Sequence, residues 1–178
     1  MIIGNALEIA IQVEYIIPLN SPSGLFNFII DDVLIPGKGA SIDLYTVISS
    51  LKASLDYHLN SGIQDIGDIK LEELDFSDGA PENIIWLDSG ELSDYGCVFW
   101  LGFNGEEERF FYSVDYEITI KEKRYARGTI EKLINSLPSP EKLKIKKIND
   151  IASITDFDYS YKVQNLSLTS ANGRSSSF

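Results

Sequence analysis

The segment VFWLGFNGEEERFFYS sets two runs of aromatic and β-branched residues on either side of Asn104-Gly105. Asn-Gly is the strongest short-range hairpin signal, because a type I′ turn needs positive φ at both central residues. The two runs are therefore expected to pair as antiparallel strands, and they commit this part of the chain to a sheet. Similar chemistry recurs elsewhere. NIIWL comes before the pair, and YEITIKEKRY comes after it, alternating Ile118 and Ile120 with charged positions as a further strand would. The Lys and Arg content of that last run would protect an edge strand from pairing with other chains. At the start, MIIGNALEIAIQVEYI alternates Ile9, Ile11, Val13 and Tyr15 with Ala10, Gln12 and Glu14. This period of two lays one row of side chains on a buried face. GLFNFIIDDVLIPG then reads as two short strands joined by a tight turn at Asp31-Asp32.

From Ser41 to Asn60 the period changes. Leu44, Ile48, Leu51, Leu55 and Leu59 recur at helical intervals, with Ser41 as a natural N-cap, Asp43 near the positive end of the helix dipole and Gly62 as the stop. Residues 64–82 are rich in Asp, Glu and Gly and predict a surface excursion, with a turn of helix around Leu71 to Leu74. GTIEKLINSLP predicts a short helix ended by Pro138. Ser139-Pro140 signals another over EKLKIKKIND, and DYSYKVQNLSL reads as a last strand. The sum is an α+β fold, read as one domain over residues 1–168. Its antiparallel sheet has about five to seven strands, with one long helix at about 41–60 and one or two short helices. Residues 169–178, small and polar, read as a frayed tail.

Composition narrows the function classes. The opening apolar run does not read as an export signal, because no basic residue precedes it and Glu8, Gln12 and Glu14 interrupt it. No charge-free stretch reaches the roughly 20 residues that a spanning helix needs. The single cysteine, Cys97, cannot form an internal disulfide and reads as a buried free thiol, which together point to a reducing cytoplasm. Net charge is −12. Between Asp56 and Asp115 there are fifteen acids against two bases, whereas Lys121 to Lys147 holds nine bases against three acids. Such an anion is a poor ligand for nucleic acid phosphates and a good one for a basic protein.

Catalytic chemistry is sparse. The one histidine, His58, falls in the last turn of the expected long helix, where a cation meets the negative end of the dipole. No G-x-S-x-G nucleophile turn occurs. One His and one Cys make a zinc site improbable. PGKGAS lacks the first glycine of a phosphate-binding loop and has Gly39 where Ser or Thr should follow Lys38. In ELDFSDGAPE, Gly79 comes one position too late for a calcium loop. No cofactor or metal is expected. What stands out is the company the acids keep: Trp86, Asp88, Glu91, Asp94 and Tyr95 in WLDSGELSDYG, and Glu106, Glu107 and Glu108 beside Arg109 and aromatics in NGEEERFFY. Rings supply the desolvated centre of a protein interface, and carboxylates steer a basic partner toward it. The candidate binding residues are therefore Glu91, Asp94, Tyr95, Glu106, Glu107 and Glu108.

Taken in order, MIIGNALEIAIQVEYI, GLFNFIIDDVLIPG, IDLYTVISSL, VFWLGFNGEEERFFYS and GTIEKLINSLP resemble the immunity protein 42 family of bacterial polymorphic toxin systems, over most of residues 1 to 138. Two positions depart from that pattern: Asp31-Asp32 stands where Asn-Gly is expected, and Ile9 where an aromatic commonly precedes the alanine. The resemblance implies a small cytoplasmic antidote that binds a cognate toxin domain and performs no catalysis. Together with the acidity it implies a basic toxin, with a nuclease as the class that fits. The residues alone leave open a small acidic hydrolase and a constitutive adaptor subunit.

Overall fold

The computed structural model describes residues 1–15, 22–37, 39–87, 90–140, 144–148 and 152–156. The first sheet runs β1 (Ile2–Asn5), β2 (Ile9–Tyr15), β3 (Ser23–Ile30) and β4 (Val33–Ile35), and β5 (Ile42–Asp43) pairs with the start of β3. Every pairing is antiparallel, and the register sets Ile9 opposite Ile30, Ile11 opposite Phe28 and Val13 opposite Phe26. The alternation in the sequence thus becomes a double row of buried side chains on one face. The Asp31-Asp32 turn holds both residues at positive φ, 50° and 62°, the sign pattern of a type I′ hairpin.

The second sheet runs β6 (Ile85–Leu87), β7 (Val98–Asn104), β8 (Glu107–Ser113) and β9 (Lys121–Ala126). Its central hairpin forms as expected, but the tip is displaced by one residue. Asn104 pairs with Glu107, so Gly105-Glu106 make the loop, and only Gly105 has positive φ. Glycine at the first central position is what a type II′ turn requires. β9 begins later than the Ile118 and Ile120 alternation indicates. Tyr116 and Glu117 both take positive φ, 58° and 65°, and form a turn before it.

These strands make two sheets rather than one, because β7 and β8 are apolar on both faces, as a strand covered from both sides must be. Phe99, Leu101, Phe103 and Phe110 face the first sheet, where the Phe28 ring lies 4.4 Å from Phe99 and 5.9 Å from Phe110. Leu44, Val47, Ile48, Leu51 and Leu55 of α1 (Leu44–Asn60) join the same core. The helix cap is Asp43 rather than Ser41: its Oδ1 accepts the Thr46 N–H at 2.9 Å, while Gly62, at φ 77°, follows the C-terminal end. The short helices α2 (Gly90–Ser93) and α3 (Thr129–Asn135) bury Leu92 and Ile130, Leu133 and Ile134. β10 (Lys144–Ile148) and β11 (Ala152–Asp156) form a hairpin, so the segment expected to be helical after Ser139-Pro140 contains a strand. The expected strand DYSYKVQNLSL and the tail 169–178 lie outside the described residues.

The opposite face of the second sheet carries Val98, Trp100 and Phe111, and the acid-rich excursion covers it. Phe76 packs 4.8 Å from Trp100 and 5.5 Å from Phe111, with Ile84 buried alongside. A 3₁₀ turn at Leu71–Glu73 matches the turn of helix expected there. Gly102 makes room for this cover, since a Cβ at that position would lie 2.8 Å from Cδ1 of Ile66. Three arginines then hold the excursion down. Fully buried Arg109 donates through Nε and Nη2 to both carboxylate oxygens of Glu122 at 2.8 Å, and through Nη1 to the Gly67 carbonyl at 2.9 Å. Arg124 reaches Asp68 at 2.7 Å and Arg127 reaches Asp65 at 3.0 Å. A buried guanidinium is tolerated only when it is paired and its donors are satisfied, and the two-pronged contact with Glu122 does both.

Two outcomes follow. Phe28→Ala empties the contact between the sheets and is expected to cost about 3–5 kcal/mol, read as a lower urea midpoint at unchanged m-value. Burial raises the Glu122 carboxyl, but the Arg109 and Arg124 guanidinium groups outweigh burial and hold it below its ordinary 4.5. Stability from this site is therefore present above the ordinary value and is lost as pH falls through the depressed one. Glu122→Gln should flatten the acid limb of urea midpoint against pH and cost about 1–3 kcal/mol at neutral pH. An unaltered acid limb would remove Glu122 as its source.

Candidate functional site

Glu91, Asp94 and Tyr95 come together just before β7, in α2 and the turn that follows it. Oε2 of Glu91 accepts the Asp43 N–H at 3.0 Å, and the Tyr95 hydroxyl exchanges hydrogen bonds with the backbone of Ser41, accepting at 3.1 Å and donating at 3.2 Å. The turn after α2 is thereby fastened to the entry of α1. Tyr116 folds back onto the same turn. Its N–H donates to the Gly96 carbonyl at 3.0 Å and its hydroxyl to the Asp94 carbonyl at 3.3 Å. The ring lies so close that any Cβ on Gly96 would sit 3.0 Å from it, and Gly96 also needs a φ of 75°.

Tyr95 is one wall of an open cleft of about 430 Å³ between the β3–β4 hairpin and the β8–β9 connection. Val33 and Leu34 face it from one side, and Tyr112 and Val114 from the other. Cys97 lies at the cleft wall. Burial pushes its thiol up to about 11, so it stays protonated and is a weak nucleophile at neutral pH. Of the residues that line it, Val33, Leu34, Tyr95 and Val114 remain between 39 and 56 % exposed, and Tyr116, folded onto the turn beside Tyr95, is 68 % exposed. Asp32, Asp94 and Glu117 stand beside them, exposed and without an ionic partner among the described residues.

Glu106, Glu107 and Glu108 lie at the other end of β7, seven residues away and thus roughly 20 Å distant. The six candidate residues therefore do not form one surface. Glu108 is a correction in its own right, because it is fully buried. Its Oε1 accepts the Gly128 N–H at 2.9 Å and its Oε2 the Ile130 N–H at 2.6 Å, supplying from β8 the side-chain cap that α3 lacks at Gly128. Burial raises this carboxyl above its ordinary value, although the N–H groups pull it the other way. Glu107 is exposed but pairs with Arg124 at 3.2 Å, and Glu106 is exposed at the loop tip. Trp86 is 45 % exposed on β6.

Sequence reasoning missed Val33, Leu34, Val114 and Tyr116. The signal was present in part: a three-residue strand such as β4 leaves apolar side chains bare unless something packs on it, and a run ending in Tyr-Glu-Ile-Thr need not be strand throughout. Among the described residues no three His, Cys, Asp or Glu side chains converge as metal ligands would, and no helix is long and apolar enough to cross a membrane. The arrangement offers an apolar centre that another surface can desolvate, bordered by carboxylates that can orient it.

The crystal structure of CdiI from Burkholderia dolosa AUO158 is similar to this fold, with a TM-score of 0.55 at 14 % sequence identity, covering 76 % of this chain and 96 % of that one. At that identity the likeness is one of fold alone. No curated protein matches the chain. The model of the family described as immunity protein 42 matches residues 1–140, from β1 through the end of α3, and leaves out the β10–β11 hairpin. With that match over most of its length, the chain belongs to the immunity protein 42 family.

Proposed function

We propose that this immunity protein neutralises a basic toxin domain in the cytoplasm by covering the surface with which the toxin binds or cleaves its substrate. A nuclease fits that description best, since an enzyme that grips nucleic acid must present Lys and Arg. The observation that carries the reading is the distribution of charge in the folded chain. The acid-rich segment stays at the surface, with Glu72, Glu73, Asp75, Asp78, Glu82 and Asp94 all exposed. Carboxylates on a folded scaffold attract a basic protein over distance and repel nucleic acid, so the toxin is engaged in place of its substrate. Inhibition by occlusion needs no turnover, and the inert Cys97 is consistent with that.

The test is co-expression with the C-terminal domain of the secreted protein encoded beside this chain, followed by binding of the two purified proteins. Growth should be restored and a stoichiometric complex should form. Association should slow at least about tenfold between low and 0.5 M salt, because screening removes the long-range attraction. Restored growth with salt-independent association would mean that the toxin is not recognised through charge. Failure both to protect and to bind would reject the reading as a whole.

A further inference from the structure

We infer that the cleft between the β3–β4 hairpin and the β8–β9 connection is the receptor for the toxin: it takes a projecting loop that carries a bulky apolar side chain flanked by Lys or Arg. This deepens the proposed function and rests on it. Three observations converge on the cleft rather than on the acidic tip of the β7–β8 hairpin.

The first is apolar exposure. Four large apolar or aromatic side chains that line the cleft, Val33, Leu34, Tyr95 and Val114, keep 39 to 56 % of their surface in water, and Tyr116 beside Tyr95 keeps 68 %, whereas the tip presents only paired or solitary acids. Contiguous exposed apolar surface rimmed by polar groups marks an interaction site. The second is charge. Arg124 and Arg127 neutralise Asp65, Asp68 and Glu107 near the tip. At the cleft, Asp31 is paired with Lys123 and Lys121 lies near Asp115, but Asp32, Asp94 and Glu117 have no ionic partner among the described residues. Glu72, Glu73, Asp75, Asp78, Glu82 and Glu106 have no ionic partner among the described residues either, but Asp32, Asp94 and Glu117 are the ones next to this apolar centre, and a basic loop complements them.

The third is backbone conformation. Among the described residues five non-glycine positions have positive φ: Asp31, Asp32, Asn83, Tyr116 and Glu117. Four of these lie in the two turns that flank the cleft. Glycine would hold either turn at lower cost, and Asn-Gly would hold it best. Three acids and an exposed aromatic are kept there instead, at a conformational penalty that is greatest for Tyr116 and Glu117, which lack an Asn- or Asp-type side chain. Side chains retained against the preference of the backbone are the ones to examine for function.

This points to an experiment in which loss of function is separable from loss of fold. The probe is the purified C-terminal domain of the secreted protein encoded beside this chain. The double variant Tyr116→Asn with Glu117→Gly gives the turn its preferred residues while removing the ring and one free carboxylate. Its melting temperature should stay within a few degrees of the parent or rise, and its affinity for the probe should fall at least tenfold. Leu34→Glu, which places a charge on the cleft wall, should weaken binding about a hundredfold. Glu106→Lys with Glu107→Lys at the far tip should change affinity less than threefold once salt is raised to screen long-range attraction. If the parent binds and protects while both cleft variants stay within threefold of it, the cleft is not the receptor and the proposed function survives. If the parent neither binds nor protects, both fall together.

Discussion

Trp100 and Phe111 point out of one face of the second sheet while Phe99 and Phe110 point out of the other, so water has to be excluded from both sides of the same strands. The first sheet and α1 supply one cover through an ordinary apolar core. The other cover is a segment with few apolar residues and many acids. Ile66, Phe76 and Ile84 bring some burial, but the carboxylates that come with them have to stay wet or meet cations. Arg109, Arg124 and Arg127 project from or follow the strands being covered, and they meet the segment at Gly67, Asp68 and Asp65. Much of the negative charge near the hairpin tip is therefore spent on holding the fold together. What remains available to a partner is the fraction that has no arginine opposite it.

Local patterns were legible and distant partnerships were not. The face of α1, the hairpin at Asp31-Asp32, the β7–β8 pair and α3 all arise from spacings within a dozen residues, and each appears close to where its pattern lies. Boundaries slipped where a neighbour in space decided them. Asp43 caps α1 in place of Ser41 because Ile42 and Asp43 stay extended as β5, paired with β3, so the helix starts only at Leu44, while the Ser41 backbone is bonded to Tyr95 far along the chain. Glu108 read as one of three surface acids because its neighbours are surface acids. In the fold it faces two orphan N–H groups of a helix that starts twenty residues later, and nothing in the run Glu-Glu-Glu distinguishes the third from the others. The division into two sheets was equally hidden, since a run apolar on both faces fits a single central strand as well as a strand with separate covers.

The site shows the same mixture. The sequence pointed to an aromatic centre bordered by one sign of charge, and Tyr95 and Asp94 stand at the cleft proposed as the receptor. The rest of that place comes from β4 and the connection after β8, which belong to different sheets and meet only across the cleft. Glu106 and Glu107 belong to the opposite end, about the length of β7 away.

An apolar cleft left open to water is a hazard in a protein that waits for its partner, because two copies could bury their clefts against each other. The net charge of −12 works against that encounter. Like-charged copies repel before their apolar surfaces meet, and the unpaired Asp32, Asp94 and Glu117 place that repulsion at the rim of the cleft itself. The sign of the same interaction reverses for a basic surface, which is drawn toward the region that identical copies avoid. One set of carboxylates can therefore keep the free protein apart from itself and admit a partner of opposite charge. Pairing those acids internally, as Arg124 and Arg127 do at the tip, would forfeit both effects. The uneven placement of arginine in this fold, dense at one end of β7 and absent from the described cleft lining at the other, where Lys121 is the cation present, is in this sense the feature that separates the scaffold from the proposed recognition surface.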